Sequence, residues 1–313
     1  MTDREIRFQS AGVTLAGTFG VPERNEPVPA VLMLPGSGAT DRNDNAKALA
    51  INAFPQFAAA IEQRGIATLR YDKRGVGASE GDDQTCGFDH RFTDAVAAVE
   101  WLRQQPEIDA ARIVVLGHSE GASLAIRLAG GAAPVAGAIL LAGSAQTGER
   151  TLLWQGRKIA DSLTGFNKWL LRVLHIDVAK SQRKAFARIN GCTADVIRVQ
   201  GRKVNARWMR EFLAYDPAID LARVNVPVLA ITGDHDLQVD PDDLDRMREL
   251  VHGPIQTLRL PGVTHVLRTE GEKRGLPGYR EQARRPVDPR VISAVTGWLA
   301  RITDDDLRTP SAG

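Results

Sequence analysis

Gly117-His118-Ser119-Glu120-Gly121 sets a serine between glycines two residues before it and two after it. An apolar β-branched run at 113–116 precedes it and a helix-forming run at 122–128 follows. A sharp strand-to-helix turn crowds the backbone around such a serine. Only small residues fit at the two flanking positions, so Gly117 and Gly121 read as elbow glycines that push the Ser119 hydroxyl out above the strand end. The five-residue string alone is weak, and its strand and helix context makes it strong. The plainer reading is a glycine-rich helix start capped by serine, and the same context weighs against it.

A serine hydroxyl becomes a useful nucleophile only when a base takes its proton and an acid orients the base. Of the six histidines, His265 in Pro261-Gly262-Val263-Thr264-His265 follows the last strand-like run and lies C-terminal to Ser119, as the order serine, acid, histidine requires. His90, His175 and His252 fall on or beside expected helices, and His118 is expected to pack. Gly233-Asp234-His235-Asp236-Leu237-Gln238-Val239 follows the apolar run at 228–232, and two carboxylates compete there for the acid's place. Asp234 is tied to the strand end, where it can brace the turn. Asp236 stands two residues further out, where it can lean toward the loop of His265 and hold its tautomer. Asp240 suits the cap of the helix expected from Pro241.

A tetrahedral oxyanion needs two preorganised N–H donors. The Glu120 backbone N–H at the helix start supplies one. The Ser37 N–H, on the glycine-containing turn Pro35-Gly36-Ser37-Gly38, supplies the other. A phosphate-binding loop is disfavoured there, because no Lys-Ser/Thr follows and no G-x-G-x-x-G is formed.

These residues sit at the ends of elements that alternate. Strands are expected at 6–9, 13–19, 30–34, 66–71, 113–116, 136–141, 228–232 and 255–260, with helices at 46–64, 92–104, 122–128, 241–251 and 289–302. Such alternation gives βαβ units and a mostly parallel sheet. From 144 to 216 strand signals fade into a helix-like stretch with 14 Lys or Arg against 6 Asp or Glu. The expected organisation is an α/β core from 1–143 and 217–313, interrupted by a helical insert at 144–216. Trp154, Ile159, Leu163, Phe166, Trp169, Leu170, Leu174 and Phe186 are its candidate apolar-face residues. Trp154, Phe166 and Trp169 read either as the walls of an acyl pocket or as the insert's own core. Its basic charge reads either as attraction for anionic acyl carriers or as a solvated face.

Composition excludes other classes. The chain has 313 residues, 43% hydrophobic and 25% charged, which rules out disorder, collagen and coiled coil. Its 40 Lys or Arg against 38 Asp or Glu give a net charge of +2, so neither nucleic acid nor a membrane surface is expected as a partner. Cys86 and Cys192 lack metal-ligand spacing, so no disulfide framework or metal cluster is expected and a reducing compartment is. The charged N-terminus lacks an apolar leader pattern, and the longest apolar runs fall short of the roughly 18 residues of a membrane span. A soluble, cytoplasmic protein is expected.

Leu34-Pro35-Gly36-Ser37-Gly38 with Asp41-Arg42, and Arg70-Tyr71-Asp72-Lys73-Arg74-Gly75-Val76-Gly77-Ala78-Ser79, resemble the α/β-hydrolase superfamily nearly end to end. The likeness is to cap-bearing bacterial serine esterases related to acyl-CoA thioester hydrolases and serine aminopeptidases. Many relatives carry His-Gly where this chain has Pro35-Gly36, a change that leaves the backbone donor in place. The spacing Gly233, Asp236, Val239 resembles the G-x-x-D-x-x-V pattern around the superfamily's acid and favours Asp236 over Asp234. The resemblance implies the α/β-hydrolase fold with a helical cap, and hydrolysis of a small-molecule acyl ester through an acyl-enzyme. It implies neither metal nor organic cofactor, with Asp72 and Arg74 in a structural role, as an ion pair or as loop braces. Acyl thioesterase and cap-type serine aminopeptidase use the same residues. A non-catalytic ligand-binding protein of this fold is the reading from another class, and the presence of all three triad groups weighs against it.

Overall fold

The computed structural model describes residues 2–163, 165, 177–199 and 201–303. In chain order the strands are β1 (Thr2–Ser10), β2 (Val13–Val21), β3 (Val28–Leu34), the short β4 (Asn45–Ala46) and β5 (Leu49–Ala50), β6 (Ala67–Tyr71), β7 (Ile108–His118), β8 (Gly137–Leu141), β9 (Val196–Val199), β10 (Arg202–Asn205), β11 (Val228–Gly233) and β12 (Ile255–Leu260). The helices are α1 (Phe54–Glu62), α2 (Phe88–Arg103), α3 (Glu120–Arg127), α4 (Gly148–Ser162), α5 (Val178–Asn190), α6 (Ala206–Ala214), α7 (Pro217–Leu221), α8 (Asp243–Leu250), α9 (Tyr279–Gln282) and α10 (Pro289–Thr303).

Every residue of β3 is buried, and its side chains divide by parity. Ala30, Leu32 and Leu34 join one apolar cluster, and Val31 and Met33 join the other. Successive strand side chains point to opposite faces, so a run apolar at every position needs cover on both. Val99 and Leu102 of α2 and Leu124 of α3 provide it on one face, and Phe57 and Ile61 of α1 with Val295 and Trp298 of α10 on the other. The result is an α/β sandwich around an eight-stranded sheet of order β1-β2-β6-β3-β7-β8-β11-β12. The β1–β2 and β2–β6 pairs are antiparallel, and the other neighbours run parallel.

Two departures from expectation lie near the strand ends. The stretch 46–64 was expected to be one helix, yet β4 and β5 pair antiparallel and the helix starts only at Phe54. Asp44 and Asn52 hold φ of +64° and +48°, the Asn45 side chain accepts from Asn52 N at 2.6 Å, and Pro55 fits a first helical turn. Between β8 and β11 the expected helices α4, α5 and α6 are joined by the antiparallel pair β9–β10, which turns at Gly201 with φ of +78°. Leu153, Phe186 and Leu213 form a small apolar cluster within this insert. Phe166, Trp169, Leu170, Leu174 and His175 lie outside the described residues. Among the described residues no helix is long and apolar enough to cross a membrane.

Asp72 and Arg74 do brace loops, though with separate partners. Asp72 takes the Arg42 guanidinium at 2.8 Å. Arg74 donates from Nε and Nη2 to Asp94 at 2.7–2.9 Å, and Ser10 Oγ also donates to Asp94, all of it buried. Removing one member of a buried pair strands the other's charge, at a cost of about 3–5 kcal/mol. Asp94→Ala should therefore lose about 3–5 kcal/mol in urea unfolding, and an unchanged midpoint would show that the pair contributes little.

Candidate active site

The turn after β7 is held by backbone contacts. Ser119 has φ +55° and ψ −115°, a strained conformation for any residue with a side chain. A Cβ on Gly117 would lie 2.0 Å from Gly121 O, and a Cβ on Gly121 would lie 1.9 Å from Leu34 O. Those neighbours are main chain and cannot rotate aside. The glycines thus let α3 begin against the end of β3, with Ser119 at the C-terminal edge of the sheet. The turns after β3, β11 and β12 open on the same edge, the usual place for a site in a parallel sheet.

Three of the residues singled out in the sequence meet there. His265 Nε2 lies 3.0 Å from Ser119 Oγ, and His265 Nδ1 lies 2.8 Å from Asp236 Oδ2. Asp236 is fully withdrawn from solvent and its Oδ1 accepts from the N–H groups of Gln238 and Val239 at 2.7 and 3.0 Å. Those two bonds aim the carboxylate at the imidazole. Asp234 stands apart: it is well exposed, and its Oδ1 accepts from Gly262 N at 2.6 Å, tying the end of β11 to the turn that leads to His265. Its carboxylate braces the loop from outside.

The turn after β3 faces the elbow. A Cβ on Gly36 would sit 3.6 Å from Ser119 Cβ. The N–H groups of Ser37 and Glu120 meet no protein acceptor among the described residues, whereas the N–H and carbonyl of Gly36 are both engaged. Gly36 N donates to Asp44 Oδ1 at 2.8 Å, and Gly36 O accepts from Thr40 Oγ1 at 2.8 Å and from Lys73 Nζ. The Glu120 side chain is buried and accepts from Lys73 Nζ at 2.9 Å, Arg91 Nη1 at 2.7 Å and Trp208 Nε1 at 2.6 Å. Burial alone would raise its pKa, but Arg91 and Lys73 reverse that and hold it below the ordinary value.

His118 does more than pack. Its Nε2 donates to His265 O at 3.0 Å, and its Nδ1 makes an ion-pair contact of 2.7 Å with Asp44 Oδ2. Burial opposes its positive charge, yet the Asp44 carboxylate and the His265 carbonyl outweigh burial and raise its pKa. One side chain thereby links the loop after β3, through Asp44, to the loop that carries His265.

Two clefts flank Ser119. One, of about 50 Å³, is lined by Ser123, Thr151, Leu152, Gln155, Trp208 and Phe212. The other, of about 130 Å³, is lined by Ala46, Leu49, Ile51, Asp44, His118 and His265. Ser37, Ser119 and Gln238 border both. Trp154, expected as a possible pocket wall, carries Lys158 over its ring at 5.3 Å and lines neither cleft. Trp208 and Phe212, stacked at 5.0 Å on α6, take that place. Arg207 and Arg210, part of the insert's basic excess, face Glu211 and Asp195 within the insert. Among the described residues no group of three His, Cys, Asp or Glu side chains is arranged to hold a metal.

Residues 49–272 match the family model described as serine aminopeptidase, S33. Esterase EstD of Thermotoga maritima is 27% identical over 300 residues, covering 94% of this chain and 68% of that protein. Among solved structures, Est1E from Butyrivibrio proteoclasticus with ferulic acid bound is similar, with a TM-score of 0.64, 17% identity, and coverage of 95% of this chain and 98% of that one. The α/β hydrolase GrgF from Penicillium sp. is similar with a TM-score of 0.63 and 18% identity, over 97% of this chain and 99% of that one.

The raised pKa of His118 fixes the sign of a pH effect. Unfolded, the imidazole titrates near 6.5, and folded it titrates higher. Its contribution is fully present below the unfolded pKa and is lost as pH rises through the folded one. His118→Asn should therefore lower Tm most below about pH 6.5, with the gap to the native protein narrowing at alkaline pH. A pH-independent gap would mean that packing alone holds this ring.

Proposed function

The chain belongs to the serine aminopeptidase S33 family of hydrolases, and from that membership we propose that it cleaves carboxylic esters through a serine-bound acyl intermediate. The carrying observation is the unbroken line from Ser119 Oγ to His265 at 3.0 Å and from His265 to Asp236 at 2.8 Å, standing between two clefts. Ser119 Oγ attacks the ester carbonyl while its proton passes to His265 Nε2. Asp236 keeps the Nδ1–H tautomer and stabilises the imidazolium. The oxyanion faces the N–H groups of Ser37 and Glu120. Collapse expels the alcohol with the proton from His265, and water then attacks the acyl-enzyme with His265 again as base.

The position of the base assigns the clefts. The leaving oxygen must lie near His265 Nε2 to take its proton, so the alcohol occupies the cleft of Ala46, Leu49 and Ile51, and the acyl group enters the cleft of Trp208 and Phe212. A water-sized occupant takes roughly 10–15 Å³, so a cleft of about 50 Å³ suits an acyl chain of a few carbons. Thr151, Leu152 and Gln155 of α4 and both aromatics of α6 make the insert at 144–216 a cap that sets acyl length. Of the lining carboxylates, Glu120 is already paired with Lys73 and Arg91, and Asp44 is engaged by His118 Nδ1 at 2.7 Å, so neither stands free to meet the ammonium group of an aminoacyl amide. That favours an ester over a peptide substrate.

A fluorophosphonate should label the native protein at Ser119 alone, as read by mass spectrometry of the digest. Labelling elsewhere, or full turnover by Ser119→Ala, would sink the proposal. Asp236→Asn should lower kcat by about 10⁴ through the wrong tautomer, while Asp234→Asn should mainly lower thermal stability. Across nitrophenyl esters run beside acyl-CoA and aminoacyl amides, acetate to butyrate should turn over faster than long-chain esters. A preference for decanoate would refute the acyl-cleft assignment.

A further inference from the structure

Building on the serine reading above, we infer that Lys73 is the positioning residue of the oxyanion hole: its ammonium holds both N–H donors in place and polarises one of them. Lys73 is buried, with Nζ at 2.9 Å from Glu120 Oε1, bonded to Gly36 O, and 3.4 Å from Gly38 O. An ammonium has three protons to place, and these oxygens receive them. The Gly36 carbonyl and the Ser37 N–H belong to one peptide unit. In a trans peptide these two groups point in opposite directions. Fixing the carbonyl toward Lys73 therefore turns the Ser37 N–H toward Ser119, whose Cβ is near enough to meet a Cβ on Gly36 at 3.6 Å. A cation on the carbonyl oxygen also draws electron density from the amide, which makes its N–H a stronger donor. Thr40 Oγ1, at 2.8 Å from the same oxygen, adds to the effect.

The second contact of Lys73 reaches the other donor. Glu120 contributes its backbone N–H to the hole and its carboxylate to Lys73, so one side chain spans the loop after β3 and the first residue of α3. Arg91 Nη1 donates to both oxygens of the same carboxylate, at 2.7 Å to Oε1, which Lys73 also reaches, and at 2.9 Å to Oε2. A buried charge pair contributes little to stability on average, but here its cation lies behind the place where negative charge develops in the reaction. Burial penalises the ammonium and lowers its pKa, and Glu120 offsets part of that penalty.

The test separates positioning from simple stability. Lys73→Met is made alone and together with Glu120→Gln, which removes both charges of the pair while keeping the Glu120 backbone N–H. Thr40→Val removes the other donor to the Gly36 carbonyl. Each full-length variant is assayed with nitrophenyl acetate and titrated with an alkyl trifluoromethyl ketone. That ketone forms a bond from Ser119 Oγ to its carbonyl carbon, passes the serine proton to His265 and leaves its own oxygen as an oxyanion. The Lys73 variants should lose kcat by on the order of 10², with KM within about threefold of native, and should bind the ketone more weakly by the same factor as kcat. Thr40→Val should show the same pattern at about tenfold. A folded Lys73→Met/Glu120→Gln protein with native kcat, or one that loses kcat while ketone affinity stays native, overturns the inference. If the Lys73 variants do not fold, native ketone affinity in Thr40→Val overturns it as well. Failure of the native protein to take a fluorophosphonate at Ser119 defeats the serine reading itself, whereas a labelled native protein with indifferent Lys73 variants defeats this inference alone.

Discussion

The end of β3 and the start of α3 touch backbone to backbone, with Leu34 O so near Gly121 that no methyl group fits between them. This close approach governs the geometry of the site. It brings the turn after β3 beside Ser119, where a Cβ on Gly36 would lie 3.6 Å from the Ser119 Cβ. It also forces the left-handed φ at Ser119, which lifts the hydroxyl clear of the strand. A side chain at Gly121 would push α3 off the end of β3, and one at Gly117 would meet the Gly121 carbonyl at the start of α3.

Around that contact the protein buries charges in compensated groups. Glu120 meets Lys73 and Arg91 on one side of the elbow, and Asp44 meets His118 on the other. Withdrawing such groups from water is expensive unless each finds partners, and here several partners belong to elements that must also be placed for the proposed chemistry. Asp44 holds Gly36 N, His118 holds the His265 carbonyl, and Trp208 brings α6 onto Glu120. The desolvation cost is thus spread over contacts that fix loop positions, where apolar packing would give adhesion without direction.

What the sequence disclosed followed from locality. β3, β7, β8 and β11 are buried on both faces, so their apolar runs announced a covered parallel sheet, and the glycines around Ser119 announced a turn within five residues. The spacing Gly233, Asp236, Val239 pointed to the carboxylate that lies against His265. The β4–β5 pair was missed because apolar residues through this stretch satisfy a helical period, and only Pro55 and the left-handed Asp44 and Asn52 mark the break. The partners of Glu120 were missed because Lys73, Arg91 and Trp208 are far from it in sequence, and a charge that pairs over such a distance leaves no periodic trace. Lys73 lay within the stretch quoted for its resemblance, so the motif marked its place without its role. Trp208 was passed over for Trp154, because an amphipathic helix presents a pocket wall and a core residue with the same pattern.

The strands β8 and β11 are neighbours in the sheet, although the whole insert separates Leu141 from Val228 along the chain. Closing so long a segment costs chain entropy before its contacts repay it, and such pairings form slowly. During synthesis the ribosome delivers β1 to β8, with Ser119 already on its strand, before Asp236 and His265 exist. A nascent chain at that stage carries an ordinary, unactivated hydroxyl. On the proposed mechanism, the order of residues along the chain therefore acts as a safety catch: the Ser119 hydroxyl gains its base and its acid only when the last two strands dock, and a half-made protein cannot yet take an acyl group there.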